Sequence, residues 1–231
     1  MDRIEIIQKI LDKKKGKTYL EVGVAAGDAF LSINAEKKLG IDPIPPVEEI
    51  CRVIDNKKVS YFEMTSDDFF DYYSNIPNKS KIDIAFIDAL HTYKQSLKDV
   101  ENCLKFLNMN GAIILHDCNP PNEVIGLPAS TFQEARLFAL EKGLLWDGNW
   151  CGDVWKTIVY LRSQRKDLNA FVLDTDYGVG VVTRGKPEKM LDFSVEDIEQ
   201  MTYLDLAEDK EKMLNLKHVK YIDEYIRSSL K

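Results

Sequence analysis

The sequence has few cysteines, no excess of basic residues and no long apolar run, and each absence excludes a class of protein. Its 231 residues include four cysteines, none in a C-x-x-C pair, so neither a disulfide framework nor a structural zinc knuckle is predicted. A formal net charge of −7 argues against a broad nucleic-acid-binding surface, which needs clustered lysine and arginine. No apolar stretch approaches the roughly 20 residues of a membrane-spanning helix. No signal-peptide pattern stands at the start, so we expect a cytoplasmic protein without a membrane span or a nucleic-acid partner.

The glycine motifs that bind phosphate groups are also absent or incomplete. Nothing matches the P-loop pattern G-x-x-x-x-G-K-[ST], so nucleotide triphosphate hydrolysis is disfavoured. The dinucleotide pattern G-x-G-x-x-G lacks its middle glycine in the run Gly23, Ala25, Gly27. Asp42 lies roughly twenty positions further on, where such folds bind a ribose hydroxyl, and this fits an adenosine-containing ligand.

Segments of strand and helix character alternate along the chain. An amphipathic helix over 3–12, closed by Gly16, is followed by apolar segments that predict strands, the first five separated by helical segments. The predicted strands are 18–24, 37–42, 59–64, 81–89, 111–117, 169–176 and 177–185. A tight turn joins the last two, so the final strand is expected to be antiparallel. The order predicts an α/β protein with a mostly parallel sheet and helices on both faces.

We expect a single domain over 1–231, with an N-terminal helix (1–16), a core sheet (17–185) and a polar helical tail (186–231). The tail is either solvated or packed in a dimer, which leaves homo-oligomer formation open. Segment 118–152 interrupts the sheet and is too long for an ordinary loop, so it is predicted to act as a lid or acceptor-binding insertion. Trp146, Trp150 and Trp155 then form either an acceptor-binding surface or aromatic packing against the sheet.

Polar residues are concentrated where the predicted strands end. Because ligands of open parallel sheets bind beyond the carboxyl ends of the strands, these residues predict one functional cleft. The set comprises Glu21, Gly23 and Gly27 after the first strand, Asp42 after the second, Ser66 and Asp67 after the third, Asp88 and His91 after the fourth, and His116 and Asp117 after the fifth.

Five of these segments together resemble the class I S-adenosylmethionine-dependent methyltransferases, and more narrowly the bacterial sugar and macrolide-glycoside O-methyltransferases. The resemblance covers about residues 17–117 and is carried by YLEVGVAAGDAF, GIDP, MTSDDFF, FIDALHTY and GAIILHD. It implies a Rossmann-like, mostly parallel seven-stranded sheet with an antiparallel last strand. It also implies S-adenosylmethionine as the cofactor and a small-molecule or glycan acceptor that is methylated on oxygen.

The resemblance implies roles for the residues of the cofactor half. Glu21 with Gly23, Ala25 and Gly27 would surround the methionine part of the cofactor, and Asp42 would bind the ribose hydroxyls. Ser66 and Asp67 would lie near the adenine, and Asp88 would border the same site. The cofactor is a cation without a pyrophosphate, so a buried carboxylate suits it and the missing glycine matters little.

The resemblance also implies a reaction centre formed by Asp88, His91, His116 and Asp117. In the sugar-modifying relatives, carboxylates after the fourth and fifth strands hold a divalent metal such as Mg²⁺; Asp88 and Asp117 match them. His91 matches the histidine three residues after the first carboxylate, and an imidazole can take the hydroxyl proton at neutral pH. His116 stands where some relatives carry a further acid, and it is a third ligand candidate, a second base or a wall of the cleft. The metal requirement is therefore left open.

Other functional classes remain as alternatives. An NAD-dependent oxidoreductase is weakened by the incomplete dinucleotide motif. An iron oxygenase with ligands at His91, His116 and Asp117 would usually require a β-barrel, which the pattern does not predict. A non-catalytic nucleotide-binding module on the same fold is the third alternative.

Overall fold

The computed structural model describes residues 1–14, 18–55, 57–77 and 79–229. Gly16, the predicted end of the first helix, lies outside the described residues. The helices are α1 Arg3–Lys13, α2 Asp28–Ser32, α3 Glu48–Cys51, α4 Ser66–Ser74, α5 Tyr93–Phe106, α6 Phe132–Glu141, α7 Trp155–Gln164, α8 Val195–Gln200, α9 Tyr203–Glu208, α10 Lys210–Leu214 and α11 Tyr221–Ser229. The strands are β1 Thr18–Val22, β2 Lys37–Asp42, β3 Val59–Glu63, β4 Ile82–Ile87, β5 Leu107–Leu115, β6 Leu168–Asp174, β7 Val179–Arg184 and β8 Leu216–His218.

The chain forms two compact units, which are described separately. The first comprises the described parts of 1–89, 98–114 and 222–231, and the second comprises 90–97 and 115–221. The prediction of a single domain over 1–231 remains a prediction.

The first unit is built on strands in the order β3-β2-β1-β4-β5. β1 pairs in parallel with β2 and with β4, and every residue of β1 is buried, as expected for a central strand covered on both faces. Helix α1 begins at a capping box formed by Asp2 and Glu5, and its apolar side chains Ile6, Ile7 and Ile10 are fully buried. These pairings bring the carboxyl ends of β1, β2 and β4 to one edge of this unit.

The second unit contains strands in the order β7-β6-β8. β7 runs antiparallel to β6, with Phe171 opposite Val181, and the short β8 runs parallel to β6. Helix α7 contributes buried side chains on most of its surface, and Trp155 is only 1% exposed. Trp155 is therefore a core residue and is not part of the predicted acceptor-binding surface.

The predicted α/β class is confirmed as a Rossmann-like, mostly parallel arrangement with one antiparallel strand pair. Three details differ from the sequence-based expectation. The described residues contain an eighth strand, β8, which interrupts the tail predicted to be helical. β5 begins at Leu107, before the predicted position 111. The tail also packs within the second unit, because Ile198 and Leu214 are fully buried. A mostly polar sequence does not predict such single buried apolar residues. None of the described helices combines the length and apolarity needed to cross a membrane.

Candidate functional site

The glycine turn after β1 has an unusual backbone in the first unit. Gly23, Ala25 and Gly27 have φ values of 87°, 46° and 90°, a region that side chains disfavour. A Cβ atom on Gly23 would lie 2.2 Å from the main-chain oxygen of Asp88. Glycine at this position therefore lets the end of β1 approach the chain leaving β4.

Asp42, at the end of β2, holds this turn through its carboxylate. Its Oδ2 accepts the N–H groups of Val24 and Ala25 at 3.0 and 2.9 Å, and its Oδ1 accepts the N–H of Ile44 at 2.9 Å. The bond to Ile44 is an Asx-type contact that an aspartate before a proline could have suggested. The contacts to Val24 and Ala25 were not foreseen. The ribose-binding role of Asp42 remains a prediction.

Glu21 is a carboxyl group almost completely enclosed by the first unit, at 2% exposure. The hydroxyl of Tyr19, two residues earlier on the same face of β1, donates a hydrogen bond to its Oε2 at 2.6 Å. Burial raises the pKa of Glu21 to about 8; the Tyr19 bond opposes this shift and the charge of Asp88 adds to it. Glu21 is therefore a mostly neutral acid at neutral pH that a nearby cation would ionise.

The raised pKa of Glu21 predicts a stability that decreases with pH. The folded state keeps the proton up to about pH 8, whereas an unfolded glutamate loses it near 4.5, so the folded state binds more protons across this window. The contribution is fully present below pH 4.5 and is lost as the pH rises through 8. Urea unfolding at about pH 5 and about pH 9 should show this loss, and Glu21→Gln should remove it. The exposed Glu36→Gln is the matched control, and an unchanged pH dependence in Glu21→Gln would contradict the assignment.

The remaining residues of the cofactor set occupy separate positions in the first unit. Ser66 and Asp67 form the first turn of α4, which Thr65 caps through a bond from the N–H of Asp68. The Asp67 carboxylate lies 2.6 Å from the amine of Lys98. Asp88 follows β4 and donates its N–H to the carbonyl of Val22. Their proposed contacts with the adenine and the cofactor remain predictions.

His91 lies in the second unit, in contact with the 118–152 segment. Its Nδ1 is 2.6 Å from the carbonyl oxygen of Trp150, and its ring stacks on the Trp150 indole with centroids 5.2 Å apart. Since a carbonyl only accepts hydrogen bonds, Nδ1 carries a proton, so the lone pair lies on Nε2 whenever the imidazole is neutral. The main chain thus selects the tautomer in which Nε2 can accept a proton.

Asp117 lies beside His91 and connects it to further side chains. Its Oδ2 is 3.3 Å from Nδ1 of His91 and 3.3 Å from Nδ1 of His116, while the thiol of Cys151 donates to its Oδ1 at 3.2 Å. His116 also places Nε2 3.4 Å from Oδ1 of Asp176. The buried Asp117 has a φ of 60°, a backbone conformation that is unfavourable for a residue with a side chain. The contacts of its carboxylate help to hold it there.

Three predicted reaction-centre residues, His91, His116 and Asp117, thus lie together within the second unit. Asp88 belongs to the first unit and is described there. Asp176 is not among the residues predicted from the sequence, because it lies far along the chain in a β-turn. For Cys151, the position within the tryptophan-rich stretch already suggested a place near the site, although nothing marked it as a nucleophile.

Comparisons with known proteins agree with this fold. A family model described as a methyltransferase domain matches residues 20–118. A solved structure of the SAH-bound methyltransferase PaMTH1 from Podospora anserina is 17% identical, covers 79% of this chain and 77% of that chain, and has a TM-score of 0.58. An O-methyltransferase from Bacillus cereus in complex with SAH is 16% identical over 78% of this chain and 79% of that chain, with a TM-score of 0.53. The comparison with curated proteins gives no match.

At these identities the structural likeness shows a common fold. The chain has the Rossmann-like fold of the methyltransferases, and its residues 20–118 match their domain model. The domain match is thus confined to residues 20–118, and the likeness of the whole chain to these structures is one of fold.

Proposed function

We propose that the protein transfers the methyl group of S-adenosylmethionine to a hydroxyl oxygen of a small-molecule or glycan acceptor in the cytoplasm. The observation that carries the proposal is the arrangement of His91, whose Nδ1 faces the Trp150 carbonyl and the Asp117 carboxylate. A base held in one tautomer is what a reaction at a hydroxyl requires. Methyltransferase relatives bound to SAH support the choice of cofactor.

The buried carboxyl groups of the first unit fit a cationic cofactor. Glu21 and Asp42 are buried carboxyl-bearing side chains beside the turn at Gly23, and a carboxylate stabilises a nearby ammonium or sulfonium group. When bound, S-adenosylmethionine supplies an electrophilic methyl group whose bonding electrons return to sulfur. In our proposal Glu21 loses its proton as the cation binds, and the turn held by Asp42 shapes the site.

The proton step is assigned to His91. As the acceptor oxygen forms its bond to carbon, its proton passes to Nε2 of His91. The resulting imidazolium keeps its Nδ1 proton on the Trp150 carbonyl, and the Asp117 carboxylate stabilises the positive charge. Alignment of the oxygen with the methyl group is then mainly a matter of positioning.

Within the second unit, nitrogen and sulfur groups contact the predicted metal ligand Asp117, whereas Mg²⁺ prefers oxygen ligands. Both carboxylate oxygens face nitrogen or sulfur atoms, from His91, His116 and Cys151. We therefore derive no step through a metal ion. The set Asp88, His116 and Asp117 remains a proposal from the sequence, and loss of turnover in EDTA with recovery on adding Mg²⁺ would favour it.

Isothermal titration with S-adenosylmethionine, S-adenosylhomocysteine and NAD tests the proposed function. We expect binding of both sulfur compounds and none of NAD. Binding of NAD alone would favour the oxidoreductase alternative. Binding of S-adenosylmethionine without methyl transfer to any of a broad panel of hydroxylated acceptors would favour the non-catalytic module. Failure to bind either sulfur compound would refute the proposal.

A further inference from the structure

Lysine residues precede every strand of the first unit. Lys13 ends α1 before β1, Lys37 opens β2, and the others stand before or at the starts of β3, β4 and β5. Because amino ends of parallel strands meet at one edge of a sheet, these side chains belong to a common surface. We call it the amino-edge lysine face; it comprises Lys13, Lys37, Lys57, Lys58, Lys79, Lys81 and Lys105.

Contacts within the first unit show that the face is continuous. The amine of Lys37 donates to Oγ of Ser80 at 3.1 Å, which joins the start of β2 to the loop before β4. The amine of Lys81 donates to the carbonyl of Lys105 at 3.5 Å, which joins the starts of β4 and β5. The carbonyl of Lys58 accepts the N–H of Lys38 at 2.6 Å, which joins the starts of β3 and β2.

The positive charge of this face is not neutralised by ion pairs. The polar partners of its amines are neutral: Ser80, the Ser74 carbonyl, the Lys105 carbonyl and the Asn102 amide. Within the described ranges none of its amines forms an ion pair with a carboxylate, whereas Lys9 and Lys98 do so elsewhere in the same unit.

The acids at this edge are fewer, and two of them bind other groups. Oδ1 of Asp55 accepts the main-chain N–H groups of Lys57, Lys58 and Val59. The Asp83 carboxylate accepts the N–H of Thr18 and the amide of Asn108. In the described part of the chain, Asp12 and Glu36 are the acids directly before Lys13 and Lys37, and the net charge of the whole chain is −7. The unit therefore has a locally cationic edge on a protein that is acidic as a whole.

Helix dipoles explain some of these lysines but not the whole face. Cations stabilise helix C-termini, and Lys13 and Lys105 lie in the last turns of α1 and α5. Lys37, Lys57, Lys58 and Lys81 lie outside helices, in strand starts and loops. Because these lysines share one edge, their charges create a positive electrostatic potential. It extends about a Debye length, roughly 8–10 Å, from the surface.

We propose that the amino-edge lysine face binds the surface of an anionic phospholipid bilayer. Acidic lipids attract clustered lysines by their surface charge, as they do for groups of four to eight basic residues beside a membrane span or on an amphipathic helix. An exposed apolar side chain adjoins the cluster: Met109 is 77% exposed, and the neighbouring Asn108 contacts Asp83 at the start of β4. The face consists of lysines, without the arginine forks and aromatic platforms that read nucleic acids.

This mode of binding would not cover the candidate cofactor residues of the first unit. The turn at Gly23 and the carboxyl group of Asp42 follow the carboxyl ends of β1 and β2, at the opposite edge of the parallel strands. The proposal does not depend on the reaction, so its test uses binding alone.

Flotation of the full chain with vesicles tests the proposal. Vesicles of phosphatidylcholine with about 30% phosphatidylglycerol should retain the protein at about 50 mM salt and release it at about 500 mM, and vesicles of phosphatidylcholine alone should not bind it. The triple variant Lys57→Glu/Lys81→Glu/Lys105→Glu should lower the partition coefficient at least about tenfold, since each lysine near such a surface contributes roughly fivefold.

The matched control is Lys142→Glu/Lys166→Glu/Lys186→Glu, which changes the net charge equally at exposed lysines of the second unit. It should bind within about twofold of the wild type. Equal losses in both triple variants, or no binding to anionic vesicles at low salt, would overturn the proposal.

Tighter binding of single-stranded RNA than of anionic vesicles at equal salt would overturn it in favour of a nucleic-acid surface. Replacement of the same three lysines by glutamine, with circular dichroism of every variant, separates lost binding from lost folding.

Discussion

Replacing His91 with alanine should lower the rate of methyl transfer by at least about 10²-fold, while the affinity for S-adenosylmethionine should stay within about twofold of the wild type. The expected loss follows because the proposed reaction passes the acceptor proton to Nε2 of His91, whereas the proposed cofactor contacts lie in the first unit. Single-turnover rates and isothermal titration measure the two quantities separately.

Two further variants test whether His91 acts as the base. His218→Ala removes an exposed imidazole of the second unit and should leave both quantities unchanged. Asp117→Asn keeps the side-chain shape but removes the charge beside Nδ1, so it should slow the transfer less than His91→Ala does. If His91→Ala reduces cofactor affinity as much as turnover, the histidine binds rather than catalyses, and the assigned role is wrong.

Replacing Gly23 with alanine destabilises the protein far more than replacing Gly143 with alanine. Both glycines have a positive φ, 87° and 65° respectively, so both substitutions carry a backbone cost of about 1–2 kcal/mol. Only at Gly23 would the new Cβ meet another group, the Asp88 main-chain oxygen at 2.2 Å, whereas nothing lies within 4 Å at Gly143. The difference between the two variants therefore measures the steric cost of the close approach.

Urea unfolding should place the Gly23→Ala variant at least about 3 kcal/mol below the wild type, in the range that strained or clashing core substitutions reach. Cofactor titration of any folded fraction should show weakened binding, because the turn also positions the N–H groups of Val24 and Ala25 on Asp42. Similar stabilities of the two variants would show that β1 and the chain after β4 can separate without cost, which would contradict the packing at Gly23.

The contacts of the residues at the strand ends do not follow from the sequence. Asp42 is predicted to bind a ribose, which stays a prediction, and the structure adds that its carboxylate binds main-chain N–H groups of the glycine turn and of Ile44. Trp155 was grouped with Trp146 and Trp150, but it is a core residue of α7. In both cases the contacts depend on side-chain direction in the folded chain, which the local sequence pattern does not give.

Local patterns by themselves determined the order of the elements in this protein. Apolar runs of strand length and amphipathic helical spacing depend only on neighbours in the chain, and they predicted the parallel α/β class, the antiparallel β6–β7 pair and the glycine turn. Tertiary structure alone decided the chemistry of individual groups. Burial sets the raised pKa of Glu21, and a carbonyl 59 residues away sets the tautomer of His91. Desolvation and hydrogen bonding depend on groups distant in sequence, so neither follows from the local pattern.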